Sequence, residues 1–216
     1  MKVKITIPTS LKDITLQQYK RFLKIQEKVT DERFLNAKMI EIFCGLDLKE
    51  VMHLQLKDSE EIVGIITALF DNKPELVKRF TLNGVQYGFQ PQLDEITLGE
   101  YIDLDTFIGD WENMEKAMNV LYRPVLVNVK ERYSIEEYRV GTEQQIMDMP
   151  MDAVMSSIFF LWNLGLDLSK NMTNYLEGTE TKALTHFLSL QKNGAGINQS
   201  QHSLNSILED LKISLN

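Results

Sequence analysis

Phe80-Thr81-Leu82-Asn83-Gly84-Val85-Gln86-Tyr87-Gly88-Phe89 sets Asn-Gly between two runs in which apolar and polar residues alternate. Alternation gives a strand one apolar face. Asn-Gly suits a two-residue type I′ turn, because both positions tolerate positive φ. The stretch therefore predicts a β-hairpin. Two strands alone are marginal in water, so the hairpin needs helices or a further strand against it. Met1-Lys2-Val3-Lys4-Ile5-Thr6-Ile7-Pro8 also alternates and predicts a strand over Val3–Ile7 that could pair with it.

Most of the remaining chain repeats at helical spacing. Leu16, Tyr19, Phe22 and Leu23 predict a helix from Leu16 to Val29. Asp31 is a suitable N-cap for a second, Glu32 to Cys44, with Gly45 as its left-handed stop. Leu48–Leu54 makes a short helix, and Asp58 can cap another over Glu60–Phe70, closed by Asp71-Asn72-Lys73-Pro74. Helices follow at Leu98–Ile108 and Trp111–Tyr122, the second stopped by Pro124. Val125–Tyr133 alternates and predicts a short strand. Met151–Tyr175 is helical, with a break expected at Gly165, and Thr181–Gln191 forms another helix. The expected fold is mainly α, of α+β class: a helical domain whose small β-element is the N-terminal strand plus the hairpin at Asn83-Gly84. Residues 1–178 make this domain. Residues 179–216 form a C-terminal helical extension, with a polar, Gly-containing linker near 192–201.

Two segments echo each other. Leu11-Lys12-Asp13-Ile14-Thr15-Leu16-Gln17-Gln18-Tyr19 aligns without gaps to Leu93-Asp94-Glu95-Ile96-Thr97-Leu98-Gly99-Glu100-Tyr101, with five of nine positions identical. The shared chemistry is a helix start. Thr15 and Thr97 are N-caps, and Gln18 and Glu100 can reach back to the cap amides, completing capping boxes. Ile14 with Tyr19 and Ile96 with Tyr101 fit hydrophobic staples. The similarity fades outside the motif, which favours independent capping over duplication.

Composition narrows the class. The chain has 216 residues, 44% hydrophobic and 25% charged, with a formal net charge of -8. Those are the values of a folded globular protein. A single cysteine, Cys44, excludes an internal disulfide framework and a cysteine zinc cluster. An acidic chain is poorly suited to nucleic acid, which is held by Lys and Arg. No apolar run approaches the roughly 20 residues a bilayer span needs, and the N-terminus lacks the apolar core of a signal peptide, so no membrane partner is expected. The charge is uneven: residues 1–40 carry a net +5, residues 41–122 a net -10 and residues 123–216 a net -3. The basic start and the acidic middle are either ordinary solvated faces or a pair, within the chain or across a homo-oligomer.

Catalytic and metal-binding patterns are weak. His53, His186 and His202 form no ligand pair at helical spacing. Cys44, beside Phe43 and Gly45, has the setting of a small buried hydrophobe. Glu95, Glu100, Asp103, Asp105, Asp110, Glu112 and Glu115 crowd one segment, but Phe107 falls where a calcium loop requires an oxygen ligand, and no Glu stands at its twelfth position. An acidic solvated face is the plainer reading. No phosphate loop or nucleophile elbow is present. No catalytic residue, metal site or cofactor is expected. Met147, Met149, Met151 and Met155 cluster around Pro150, ahead of Ile158-Phe159-Phe160-Leu161-Trp162. A helix apolar on all sides must be buried, either as the central helix of the domain or against another subunit. Methionine also packs adaptably at surfaces that accept helices. Met149, Met151, Met155, Phe159 and Trp162 are therefore candidate partner contacts, as are Leu204, Ile207, Leu208 and Leu211 of a C-terminal amphipathic stretch.

The run from Glu95-Ile96-Thr97-Leu98-Gly99-Glu100-Tyr101-Ile102-Asp103-Leu104 to Trp111, then Met118 to Tyr122-Arg123-Pro124, and later Met149-Pro150-Met151, resembles a group of small, mostly uncharacterised proteins of tailed bacteriophages. The resemblance spans roughly Ile7 to Leu168 and rests on caps and packing residues. Some phage proteins of this size and helical character are tail assembly chaperones, which coat the tape-measure protein before the tail tube grows around it. The resemblance implies a non-enzymatic morphogenesis protein, a chaperone or adaptor whose partners are phage structural proteins such as tape-measure or tail proteins. It would act in the host cytoplasm or the virion. The alternatives are a structural virion component (neck, connector or baseplate) and, less favoured, a metal-dependent enzyme using the acidic segment.

Overall fold

A computed structural model describes residues 5–71, 74–129 and 132–177 of the chain. The hairpin is where its turn chemistry places it. Strands β1 (Arg79–Leu82) and β2 (Val85–Phe89) pair antiparallel. Asn83 and Gly84 take φ of 50° and 80° between them, the two positive angles a type I′ turn requires.

The partner of this hairpin is not the N-terminal segment. Residues 5–8 belong to no strand, and Val3 and Lys4 lie outside the described residues. The sheet has four antiparallel strands in the order β1-β2-β3-β4, completed by β3 (Tyr122–Val129) and β4 (Arg132–Ile135). Ile5 and Ile7 are half-buried against the core. Their alternation reports a covered face without a hydrogen-bonded ladder. The expected strand over Val125–Tyr133 falls instead on two antiparallel strands, β3 and β4. Pro124 does not end a helix. The helix before it stops at Leu121, Tyr122 begins the strand, and Pro124 sits opposite Tyr87. Proline is tolerated there beside an irregularity in pairing between Val125 and Val127.

Seven helices accompany the sheet among the described residues: α1 (Leu16–Gln26), α2 (Glu32–Cys44), α3 (Leu48–Val51), α4 (Leu56–Phe70), α5 (Leu98–Phe107), α6 (Met114–Leu121) and α7 (Met151–Glu177). α2 matches its local signals at both ends. Asp31 accepts from the Arg33 and Phe34 amides, and Gly45 is left-handed at φ 67°. α4 begins earlier than Asp58, which lies in its first turn, where a carboxylate complements the helix dipole. α1 and α3 stop a turn or less before their expected ends. The stretch expected to be one helix from Trp111 splits into a 3-10 turn at Trp111–Asn113 and α6. α7 runs unbroken through Gly165. One core joins these elements, from Leu16 and Phe22 on α1 through Ile40 on α2, Ile66 on α4 and Met118 on α6 to Val154 and Ile158 on α7.

The echoed segments fold alike. Each is a 3-10 turn (Leu11–Asp13, Leu93–Glu95) followed by an isolated Ile, a threonine cap and a helix. Thr15 Oγ1 accepts the Gln18 amide at 3.2 Å while Gln18 Oε1 accepts the Thr15 amide at 2.9 Å. Thr97 and Glu100 repeat the reciprocal pair at 3.2 and 2.7 Å.

Candidate interaction surfaces

The methionine cluster belongs to the interior. Met149, Met151 and Met155 are fully buried in the chain's own core, so their reading as contact surface is corrected to core. The reason is a latch between the starts of α1 and α7. The first amides of a helix lack intrahelical acceptors. In α1 they are met from across the fold: Leu16 N–H donates to the Met149 carbonyl and Gln17 N–H to the Met147 carbonyl, each at 2.9 Å. Met151 N–H donates in return to the Ile14 carbonyl at 2.8 Å. Thr15 and Pro150 form the isolated β-bridge at the centre. The Met147-Asp148 turn and the Met149-Pro150 step after it thus serve as the N-terminal cover of α1.

Ser156 of α7 and Tyr122 of β3 hold the segment that leads into β1. Ser156 Oγ accepts the Val77 amide at 3.1 Å, and the Tyr122 hydroxyl donates to the Val77 carbonyl at 2.8 Å. The same hydroxyl lies 3.2 Å from the Ala153 carbonyl. Burial pushes the Tyr122 phenol well above its ordinary range, which keeps it a donor. Ser157 Oγ donates to the Val154 carbonyl at 2.8 Å.

Beyond Ile158 the helix leaves full burial. Phe159, Phe160, Leu161 and Trp162 are half-buried, and Asn163 and Leu164 are exposed. Phe160 packs edge-on to Phe89 with centroids 5.6 Å apart. Phe159 and Trp162 therefore keep partial access to solvent. Leu204, Ile207, Leu208 and Leu211 lie outside the described residues, as does the rest of the extension from residue 178 on.

The acidic segment is largely taken up by bonds within the fold. Glu100 pairs with Arg123, Nη1 to Oε1 at 2.6 Å, with both side chains buried. Burial pushes the Glu100 carboxyl up, but the Thr97 amide and hydroxyl and the Arg123 charge pull harder, and it ends below its ordinary value. The Tyr138 hydroxyl donates to Asp103 at 2.7 Å. Asp110 caps the Trp111–Asn113 turn through the Glu112 amide at 2.8 Å. Glu115 bonds the buried Lys20 ammonium, which also donates to the Glu112 carbonyl at 2.8 Å. Lys24 stands 3.9 Å from the Glu112 carboxylate, and Arg21 pairs with Glu41 at 3.0 Å. The basic start and the acidic middle thus meet within the chain. Among the described residues, no three His, Cys, Asp or Glu side chains group closely enough to hold a metal.

Cys44 is half-buried and burial pushes its thiol up, away from the thiolate that attacks. His53 is exposed and its Nδ1 donates to the Lys49 carbonyl at 2.5 Å. His186 and His202 lie outside the described residues. No described helix is long and apolar enough to cross a membrane.

One surface had no forerunner in the sequence reading. Leu98, Tyr101 and Ile102, spaced to share one stripe of α5, are all exposed. The only advance signal was the echo itself, whose first copy sits buried. No protein-family model matches the chain, and neither a curated protein nor a solved structure matches it.

Proposed function

We propose that the chain is a non-enzymatic morphogenesis protein of a tailed bacteriophage, acting as a tail assembly chaperone or adaptor that binds another virion protein. The observation that supports this reading is the course of α7. Its 27 residues extend for about 40 Å at 1.5 Å per residue. The first two turns are locked in the core, and the following stretch carries Phe159, Phe160, Leu161 and Trp162 half out of it. An aromatic-rich helix anchored at one end suits helix-in-groove recognition, and Trp is enriched among the residues that dominate binding energy. The resemblance to tailed-phage proteins supplies the partner class, a tape-measure or tail protein met in the host cytoplasm.

Affinity capture from infected cells tests the proposal. A tail protein should be recovered with the wild-type chain and lost with Trp162→Ala, while Phe34→Ala on α2 leaves recovery unchanged. Recovery of no virion protein, or equal recovery with all three chains, would sink it. Stoichiometric presence of the chain in purified particles would replace the chaperone role by a structural one.

A further inference from the structure

The two copies of the echoed helix start differ in one respect. In the first, Leu16 and Tyr19 are buried: the Met149 and Met147 carbonyls accept from the Leu16 and Gln17 amides, and Tyr19 packs on Phe70 and Trp111. In the second, the equivalent Leu98 is 74% exposed and Tyr101 41%, and Ile102, which stands where α1 has the buried Lys20, is 52% exposed. Among the described residues, no backbone group crosses to the Leu98 or Gly99 amide or to the Ile96 carbonyl. The first copy thus displays the cover that the second lacks.

The electrostatics specify what would fit. Between Phe80 and Glu115 the chain has eight carboxylates and no Lys, Arg or His; Arg123, Lys20 and Lys24 answer Glu100, Glu115 and Glu112, and none of these pairs reaches Asp94 or Glu95. Asp94 and Glu95, on the turn leading into α5, are both exposed beside the apolar stripe. A second copy of this chain is net -8 overall and its basic first forty residues are partly paired to its own Glu41, Glu112 and Glu115, whereas a basic segment would bring the opposite sign to Asp94 and Glu95.

We propose that the start of α5 docks a short apolar segment flanked by Lys or Arg from a partner protein, its backbone meeting the helix amides as the Met147 and Met149 carbonyls do on α1. Its carbonyls would accept from the Leu98 and Gly99 amides, and its apolar side chains would cover Leu98, Tyr101 and Ile102. Its basic flanks would lie by Asp94 and Glu95. This surface is separate from the exposed length of α7 and does not depend on what α7 binds.

The test uses the full chain, isotope-labelled, and a synthetic peptide spanning Met147–Met151 with Asp148→Lys and one lysine added at each end. Titration should shift the Gly99, Tyr101 and Ile102 amide resonances. Leu98→Lys in the protein, or glutamate at the three lysine positions of the peptide, should each weaken binding by about tenfold or more, equivalent to about 1.4 kcal/mol. Leu98 is exposed enough for this change to leave folding intact, and a peptide-free spectrum retaining the wild-type pattern verifies that. Absence of shifts at millimolar peptide, shifts confined to Leu16 and Gln17, or binding indifferent to Leu98→Lys would overturn the proposal. A concentration-dependent dimer abolished by Leu98→Lys would also overturn it, because the occupant would then be a second copy.

Discussion

Glu100 is bonded on both sides: one carboxylate oxygen closes the capping box on the Thr97 amide, and the other meets Arg123 of β3 at 2.6 Å. A residue chosen to begin a helix therefore also ties that helix to the sheet. Gln18 does the same in the first copy, with its side-chain amide donating to the Ile42 carbonyl of α2 at 2.9 Å. The acid in the second copy answers the buried guanidinium.

Breaking that pair from one side should be costly. Arg123→Met leaves the Glu100 carboxylate buried without its counter-charge, and the expected loss is about 3–5 kcal/mol in urea unfolding at neutral pH. The pH dependence has a definite sign. Glu100 lies below its ordinary value of 4.5 in the folded chain. A carboxylate depressed by folding contributes stability in full above its unfolded pKa and loses it as pH falls through the folded value. The stability gap between wild type and Glu100→Gln should therefore be widest near neutrality and shrink as pH falls below 4.5 through the folded value. A gap constant with pH would contradict this account.

Gly88 on β2 is required by a ring from two strands away. A Cβ built at this position would stand 2.5 Å from Tyr133 Cε2. Tyr133 reaches across from β4 so that its hydroxyl donates to the Phe89 carbonyl at 2.6 Å, while Arg79 of β1 stands over its ring. Gly88→Ala should cost about 1–3 kcal/mol through forced displacement of the ring. In combination with Tyr133→Ala the loss should be less than the sum, because the obstructing atoms are gone. Thermal unfolding of the four proteins in the cycle provides the measurement.

Val77 lies outside regular structure, and two side chains satisfy its backbone. Ser156→Ala leaves the Val77 amide without its acceptor, and Tyr122→Phe takes the phenol from its carbonyl. Each should destabilise by about 1–3 kcal/mol. Hydrogen exchange at the Val77 amide should accelerate far more in the serine variant. Equal exchange in both variants would mean that Ser156 is not the group protecting it.

The echoed leucines give a direct comparison of one motif in two settings. Leu16 is fully buried and Leu98 largely exposed. Leu16→Ala should cost about 2–5 kcal/mol, the usual range for a core cavity. Leu98→Ala should stay within about 0.5 kcal/mol, as for an ordinary surface site. Denaturant midpoints at constant slope would report both.

The features legible in sequence were those set by neighbours along the chain. Asp31, Gly45, the two threonine caps and Asn83-Gly84 each act over four or five residues, and each is found in its expected role. Strand partnership was not legible, because pairing Tyr87 with Pro124 depends on packing between distant segments. The N-terminal alternation shows the limit: Ile5 and Ile7 are covered, but by packing without a ladder. The apolar run Ile158–Trp162 was expected to be buried on every side, but only Ile158 is, and Phe159, Phe160, Leu161 and Trp162 are half-buried. What covers the start of α1 could not be read, since the acceptors for its amides come from Met147 and Met149, far along the chain. Burial likewise separates Leu16 from Leu98, although their local sequences agree. The Glu100–Arg123 pair left no periodic mark at all.

The latch between α1 and the Met147–Met151 segment has a consequence for synthesis. A ribosome delivers Leu16 early and Met149 late, so the first helix start spends most of translation without its backbone acceptors. Closing so long a loop adds only slowly to the entropic cost, but it cannot begin until the distant segment has emerged. The first helix of the chain to be made is thus among the last to be finished.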